Sequence, residues 1–278
     1  MFAGLVHYRE EYNDPGLQQY SLDYQQQLTG GQPLFNNGMS APLGVSFVQE
    51  TTIFREFGPL AGNTVQATYQ VSPRIGSNSV SRQTVDGDAR LYQRIGGSGV
   101  LALRAKGFRS WGRNPDFMFF GGNSEMRGYD YLQFVGQRAF FLNAELRFPF
   151  IEAMLTPIGI LGGIRGVFFA DAGGASFAGQ PFSLLSRKTE VHTPVTYNLV
   201  TQAPINGTPR TVSGLRLVDS RASYGVGVET FLLGFPLHLD WAWRTLLNRD
   251  WEDVVFASQG GSASFRKPRF QMWIGYDF

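Results

Sequence analysis

The chain contains no cysteine and only three histidines, and this composition excludes two kinds of site. Without cysteine there is neither a disulfide framework nor a zinc–thiolate centre. His7, His192 and His238 are far apart in the sequence and have no ligand spacing. We therefore expect no metal ion and no cofactor.

The sequence also lacks an apolar run approaching the ~20 residues that a transmembrane helix needs. The longest candidates, Met154–Ile164 and Val167–Ala178, are short and interrupted by glycine, proline or aspartate. The net charge of +2 is typical of neither a nucleic-acid binder nor an enzyme for acidic substrates. The N-terminus has no basic segment followed by an apolar core, so we expect either a cytoplasmic protein or a chain whose mature N-terminal part is missing.

What the sequence does contain is a repeated alternation of polar and apolar residues, the period of a β-strand with two different faces. It recurs near residues 65–71, 89–95, 140–148, 222–229 and 237–244. At the C-terminus, Arg269 and Gln271 alternate with an apolar series that consists of Phe270, Met272, Ile274, Tyr276 and Phe278. The predicted fold class is all-β.

Three details favour an antiparallel transmembrane β-barrel over a soluble sandwich, which gives the same alternation. The polar face carries charge on nearly every segment, as a wet lumen allows. Aromatic residues such as Trp111, Trp241 and Trp243 lie near segment ends, where interfacial girdles occur. The chain also stops on Phe278, an apolar-face residue.

The spacing of the segments predicts short and long connections in alternation, as in up-and-down barrels. We expect tight turns at 59–62, 96–98 and 233–236, a moderate link at 150–159, and long links at 72–85, 111–134 and 247–267. The longest link, 174–219, is rich in Ser, Thr, Pro and Asn and is expected to be an exposed, mobile loop. The count is about eleven strands, or 10–12, and it includes two weak candidates, Phe2–Tyr8 and Leu17–Gln27.

Three separated segments each contain a charged residue that needs a partner inside a barrel. Arg127 is the fixed cation of the glycine-rich loop Gly121–Tyr129, Glu145 lies among apolar residues, and Asp171 follows an apolar run. A guanidinium offers a rigid fork of N–H donors and can serve two carboxylates at once. We therefore predict that the loop folds back into the lumen and is pinned there by these three residues.

The segment from Gly121 to Pro149 resembles the BamA-like outer-membrane assembly factors, the bacterial surface antigen family. In that family a loop with Arg-Gly-Phe or Arg-Gly-Tyr, here Arg127-Gly128-Tyr129, precedes a strand ending Glu-Leu-Arg-Phe-Pro, here 145–149. An aromatic-x-Asp-x-Gly pattern, here Phe169–Gly173, and then a Gly-x-Gly strand, here Tyr224–Val228, follow in both. The resemblance covers about Arg90 to Phe278, and segments 54–59 and 84–90 are similar to a subgroup with an N-terminal β-propeller.

The resemblance implies a bacterial outer-membrane protein of the BamA/TamA kind, which inserts or exports other proteins through a lateral seam and is not an enzyme. It implies a lumen loop anchor made of Arg127, Gly128, Tyr129, Glu145, Asp171 and Gly173. It also implies an insertion signal and seam strand made of Phe270, Met272, Ile274, Tyr276 and Phe278. The implied partners are outer-membrane lipids and lipopolysaccharide, unfolded or exported outer-membrane proteins, and accessory lipoproteins, with no nucleic acid.

Family members have about sixteen strands and soluble periplasmic modules ahead of the barrel, and bacterial barrels have even strand counts. Residues 1–278 are therefore expected to be one barrel domain that lacks the first strands and the N-terminal periplasmic domain. A passive channel or a surface-exposed structural barrel that keeps the loop motif stays open as an alternative. An enzyme would need a Ser–His pair such as Ser223 with His238, for which a lumen-lining histidine is the simpler interpretation.

Overall fold

The computed structural model describes residues 1–9, 11, 13–29, 37–55, 58–156, 159–193, 195–197, 203–232 and 235–275. In chain order the first strands are β1 (Phe2–Ala3), β2 (Val6–Tyr8), β3 (Gly38–Ser40), β4 (Leu43–Glu50), β5 (Ile53–Arg55), β6 (Gly58–Ser72), β7 (Arg82–Ile95), β8 (Gly99–Gly112), β9 (Met118–Phe120), β10 (Phe134–Gly136), β11 (Arg138–Thr156) and β12 (Gly159–Ser176). The later strands are β13 (Leu185–Arg187), β14 (Glu190–His192), β15 (Val195–Tyr197), β16 (Pro204–Asn206), β17 (Arg210–Val212), β18 (Leu215–Leu217), β19 (Ser220–Leu232), β20 (Phe235–Thr245) and β21 (Arg269–Ile274). The helices are α1 (Pro15–Thr29), α2 (Arg249–Val255) and α3 (Gly261–Phe265), with a 3-10 turn at Ala257–Gln259. Among these described helices, none combines the length and the apolar character needed to cross a membrane.

Within the described residues, one antiparallel sheet of 11 strands makes up the wall. Its order is β1-β4-β6-β7-β8-β11-β12-β19-β20-β21, with β5 paired beside β6. The predicted all-β antiparallel class is confirmed, and the 11 strands fall within the predicted 10–12, although the counted segment Leu17–Gln27 is not one of them. Within the described residues β1 and β21 do not pair with each other, so the wall is not closed and has two free edges.

In the wall, apolar side chains are exposed on the outer face and charged side chains are buried, the reverse of the distribution in a soluble protein. On β11, Leu142 and Leu146 are 47% and 37% exposed, whereas Glu145 and Arg147 at the alternate positions are each 1% exposed. The neighbouring strand continues the pattern, because Phe168 is 52% exposed and Asp171 only 2%. An apolar outer face and a charged inner face are what a transmembrane barrel requires. We call the inner side the lumen face.

Two predicted connections are wrong, because both contain residues that lie within strands. Residues 59–62 belong to β6, which pairs with β5. Residues 150–156 continue β11, and the register shifts between Pro149 and Ile151. Proline has no N–H to donate to the sheet. At a β-bulge the regular hydrogen-bond pattern is interrupted, so the strand continues past Pro149 without that bond. The tight link after Ile95 is confirmed, because β8 begins at Gly99; the turn predicted at 233–236 lies partly outside the described residues.

The weak strand candidate Leu17–Gln27 is wrong, because these residues form most of α1. Pro15 stands at the start of the helix, where its missing N–H is not needed, and the Asp14 carboxylate accepts a 2.7 Å hydrogen bond from Gly16 N. The glutamine-rich run that follows has good helix propensity, which outweighs its weak alternation. Of the other weak candidate, Phe2–Tyr8, two short pieces are strands, β1 and β2.

The long link 174–219, predicted to be an exposed, mobile loop, contains three short ladders within its described residues. β13 pairs with β18, β14 with β17, and β15 with β16, each antiparallel. Pairing satisfies the backbone N–H and C=O groups of a long excursion, which composition alone does not reveal. The predicted mobility of this segment stays a prediction.

Candidate functional site

The glycine-rich loop between β9 and β10 lies against the lumen face of the wall. Gly121, Gly122 and Gly128 have φ values of 133°, 70° and 84°, a region that favours glycine. A Cβ on Gly128 would also lie 3.0 Å from the Ala242 side chain on β20, so the loop needs this glycine to approach the wall. The apolar side of the loop packs in a buried cluster that consists of Phe120, Met126, Tyr129, Ala139 and Phe141.

Arg127 at the tip of this loop is buried and is held by Asp171 on β12. The Asp171 carboxylate accepts hydrogen bonds from Arg127 N at 3.1 Å, Nε at 2.8 Å and Nη2 at 2.7 Å. Asn143 on β11 completes the contact, since its Nδ2 donates to Asp171 Oδ1 at 2.9 Å and to the Glu125 carbonyl at 2.7 Å. Both the backbone and the side chain of the loop are therefore fixed to the wall.

Glu145 on β11 joins Arg127 to a second arginine. Arg127 Nη1 lies 2.7 Å from Glu145 Oε1, while Arg147 Nε donates to Glu145 Oε2 at 2.8 Å. The Arg127 contact is an ion pair without hydrogen-bond alignment, because Oε1 accepts no hydrogen bond from the described residues. Asp171, Arg127, Glu145 and Arg147 thus form a buried chain of four charges of alternating sign. Two cations and two anions offset one another, which the burial of these four side chains requires.

The aromatic-x-Asp-x-Gly pattern of β12 places three alternate residues on the lumen face, each with a different task. The Arg127 guanidinium lies 3.7 Å from the centre of the Phe169 ring, a cation–π contact. Asp171 binds Arg127, and Gly173 leaves room for the Phe120 ring, which a Cβ would approach to 2.9 Å. On β19, Gly225 does the same for Phe169, because a Cβ there would lie 2.4 Å from that ring.

Electrostatics keep the Arg127 guanidinium of the anchor charged. Burial lowers the pKa of Arg127, but the carboxylates of Asp171 and Glu145 outweigh burial, so the pKa lies well above its usual value. Burial raises the pKa of the Tyr129 hydroxyl, which therefore stays protonated. That hydroxyl donates a 3.1 Å hydrogen bond to the Ala222 carbonyl on β19. The loop is thus bound to β11, β12 and β19 through a guanidinium that stays charged and a hydroxyl that stays protonated.

The loop also touches the last strand, in contacts that the sequence did not predict. Gly128 N donates to Gln271 Oε1 at 2.6 Å, and Gln271 Nε2 donates to the Tyr129 carbonyl at 3.0 Å. Arg269 Nη1 donates to the Gly128 carbonyl at 3.2 Å, and its Nη2 lies 2.6 Å from Asp130 Oδ1. The alternation of the C-terminal strand could have indicated them, because Arg269 and Gln271 lie on its polar side, which is the lumen face.

The apolar residues of the proposed insertion signal lie on the outer face of β21. Phe270, Met272 and Ile274 are 55%, 66% and 65% exposed. Tyr276 and Phe278 lie outside the described residues. Phe270, Met272 and Ile274 are therefore on the opposite face of the wall from the loop anchor, and among the described residues Arg269 and Gln271 bring the last strand to the anchor.

The Ser–His pair considered for an enzyme is not assembled. His238 pairs in register with Glu229, whereas Ser223 pairs with Arg244, six positions further along β20. The His238 ring stacks on Trp273 with centroids 3.7 Å apart, and its Nε2 lies 2.8 Å from the Gly275 carbonyl. Within the described residues there is also no group of three His, Asp or Glu side chains placed to hold a metal ion.

Comparison with known proteins agrees with this architecture. No curated protein matches the chain. The Omp85 superfamily domain matches residues 36–278, which includes the wall from β4 to β21, the loop and its anchor. Members of this superfamily are outer-membrane proteins of Gram-negative bacteria that act in the assembly or transport of other proteins, without being enzymes. On a match of this extent, the chain belongs to the Omp85 superfamily.

Proposed function

We propose that this chain is the barrel of an outer-membrane factor that inserts or exports other proteins through a lateral seam, without chemistry of its own. The observation that carries the proposal is the loop anchored by Arg127, which reaches across the lumen to the last strand of an open wall. A loop that only blocked a pore would need contacts to the wall but none to the seam strand.

The seam is the physical basis of the activity. Backbone N–H and C=O groups inside a bilayer must be paired, because hydrocarbon offers no partner. β21 pairs with β20 and has no second neighbour among the described residues. An edge of this kind is a template on which an incoming strand can add. Clients would therefore be unfolded or exported outer-membrane proteins, and the apolar outer face would contact lipids and lipopolysaccharide.

The finer assignment is to the BamA/TamA group, with an outer-membrane location and accessory lipoproteins as partners. It is supported by the order of the motifs along the chain and by their meeting at one site. The same proposal includes residues 1–278 as one outer-membrane barrel domain, in a subgroup with an N-terminal β-propeller.

A passive channel is the second candidate, and one observation favours it. The lumen face of β7 and β8 carries ion pairs of Asp88 with Arg104, at 2.7 Å, and of Asp86 with Lys106, at 3.1 Å. A charged lining of this kind also suits a hydrated pore.

Depletion of the gene in its native host separates the two candidates. An assembly factor predicts that many other barrel proteins decline together in the outer-membrane fraction, while inner-membrane proteins are unchanged. Re-expression of the unaltered gene must restore them. Loss of uptake of a single solute, with the other barrel proteins at normal abundance, would refute the assembly function and favour the channel.

A further inference from the structure

The contacts of Gln271 differ from those of the charged anchor, because they join the loop to the edge of the wall. The amide accepts from Gly128 N at 2.6 Å and donates to the Tyr129 carbonyl at 3.0 Å. These two bonds engage the backbone on both sides of one loop peptide, as a neighbouring strand would. A side chain therefore substitutes for strand pairing between the loop and β21.

Arg269 adds a second contact two residues along the same face. It donates to the Gly128 carbonyl at 3.2 Å and pairs with Asp130 at 2.6 Å. Both charged side chains are more than a third exposed, so water screens this pair and we assign it the smaller share. Gln271 is the main contact.

The loop consequently spans the wall from its middle to its edge. Arg127 fixes it to β12, the Tyr129 hydroxyl reaches β19, Gly128 packs on Ala242 of β20, and Gln271 connects it to β21. Among the described residues, β21 is held by pairing with β20 over the six positions from Arg269 to Ile274 and by the 3.1 Å bond from Gly275 N to the Pro236 carbonyl. The two Gln271 bonds to the loop add to these contacts from the lumen face.

We infer that Gln271, assisted by Arg269, is a positioning residue that couples the docked loop to the last strand, so that release of either one loosens the other. In this arrangement Arg127 controls the edge strand without touching it. The consequence for clients rests on the proposed function. A client strand that pairs with β21 would either break the contacts between the loop and β21 or bind only after these contacts have broken. The coupling itself is a property of the resting protein.

Hydrogen exchange of the full chain in lipid nanodiscs, read by mass spectrometry, tests the coupling. Gln271→Leu removes both amide bonds and keeps a similar volume, and Gln66→Leu makes the same change at an exposed lumen-face position on β6. We expect amide exchange in β21 to rise roughly tenfold to a hundredfold for Gln271→Leu, from the loss of two hydrogen bonds, and to be unchanged for Gln66→Leu.

Arg127→Ala distinguishes coupling from local damage, because Arg127 contacts β11 and β12 but not β21. Coupling predicts that this variant also speeds exchange in β21, and that the double variant with Gln271→Leu adds little more. The inference is overturned if β21 exchanges at the unaltered rate in Arg127→Ala, or if the two changes add fully. If Gln271→Leu does not fold, as judged by lost protection in β11 and β12, Gln271→Glu replaces it and must give an intermediate effect. These readouts need no client, so they hold or fail independently of the proposed function.

Discussion

Removal of Arg127 is the most informative perturbation of this molecule. In Arg127→Ala, Asp171 loses its two guanidinium hydrogen bonds and keeps the Asn143 amide, and Phe169 loses its cation. The backbone N–H of residue 127 can still donate to Asp171 while the loop stays docked. Glu145 keeps Arg147 as its partner. The Asp171 carboxylate, 2% exposed, is then a buried charge with no cation beside it.

The size of the effect follows from that unpaired charge. Breaking a buried ion pair by removing one partner costs about 3–5 kcal/mol, much of it the penalty for the charge left behind. The wall is held by its own ladders, so the loop, which has far fewer bonds, undocks first. At about 1.4 kcal/mol per factor of ten, the undocked population should rise roughly a hundredfold to a few thousandfold. We expect a folded barrel with a released loop and lowered activity.

Limited proteolysis and hydrogen exchange of residues 121–134 in lipid nanodiscs measure this release. The matched control is Arg113→Ala, an exposed arginine that precedes the same loop. Arg127→Lys keeps the positive charge but loses the planar, two-pronged guanidinium, so its loop exchange and protease sensitivity should lie between those of the two alanine variants. If activity, protease resistance and exchange of the loop in Arg127→Ala equal those of Arg113→Ala, the reasoning about the anchor is refuted.

Two further substitutions test the packing around the anchor. Gly225→Ala should displace the backbone of β20 and the Phe169 ring, since the added Cβ would lie 2.1 Å from the Trp241 carbonyl oxygen and 2.4 Å from the ring, and it should lower stability by about 1–3 kcal/mol. Gly107→Ala on β8, where a Cβ meets nothing within 4 Å, should not, so equal unfolding midpoints for the two variants would contradict this. Tyr129→Phe removes the hydrogen bond to the Ala222 carbonyl, which is worth about 1 kcal/mol. Amide exchange in the loop should therefore rise about fivefold, while exchange in β7 stays the same. An unchanged exchange rate in the loop would show that this bond contributes nothing.

Much of the wall could be predicted from the sequence, because period-two alternation determines which side chains share a face. Glu145 and Arg147 were placed opposite Leu142 and Leu146, and the structure buries the first two and exposes the others. The errors came where local chemistry resembles a strand end or a strand. Pro149 lies at a bulge and does not end β11. The residues after Pro15 alternate weakly, as in a strand, but Asp14 caps them as a helix.

The core of the candidate site could also be predicted, because charge needs a partner. A lone cation and two carboxylates on polar faces led to Arg127, Glu145 and Asp171, which the structure brings together. Gln271 could not be found in the same way. A neutral amide gives no electrostatic signal, and its partners are backbone atoms of Gly128 and Tyr129, whose positions no side-chain pattern records.

The glycines of the site illustrate a further limit of sequence reasoning. Gly128 needs its φ of 84°, a property that turn chemistry can suggest. Gly225 has no such conformation and is required by both neighbouring strands, because a Cβ would lie 2.1 Å from the Trp241 carbonyl oxygen on β20 and 2.4 Å from the Phe169 ring on β12. Only the register of β19 with these two strands makes that requirement visible.

The most direct test of the central claim is site-specific photocrosslinking in the native outer membrane. A photoreactive phenylalanine analogue replaces either Phe270 on the edge strand or Phe168 in the middle of the wall, which are 55% and 52% exposed on the same outer face. If the last strand is the template for clients, newly made outer-membrane proteins are captured from position 270 and not from position 168. Equal capture from both positions, or none from position 270, would contradict a seam at β21.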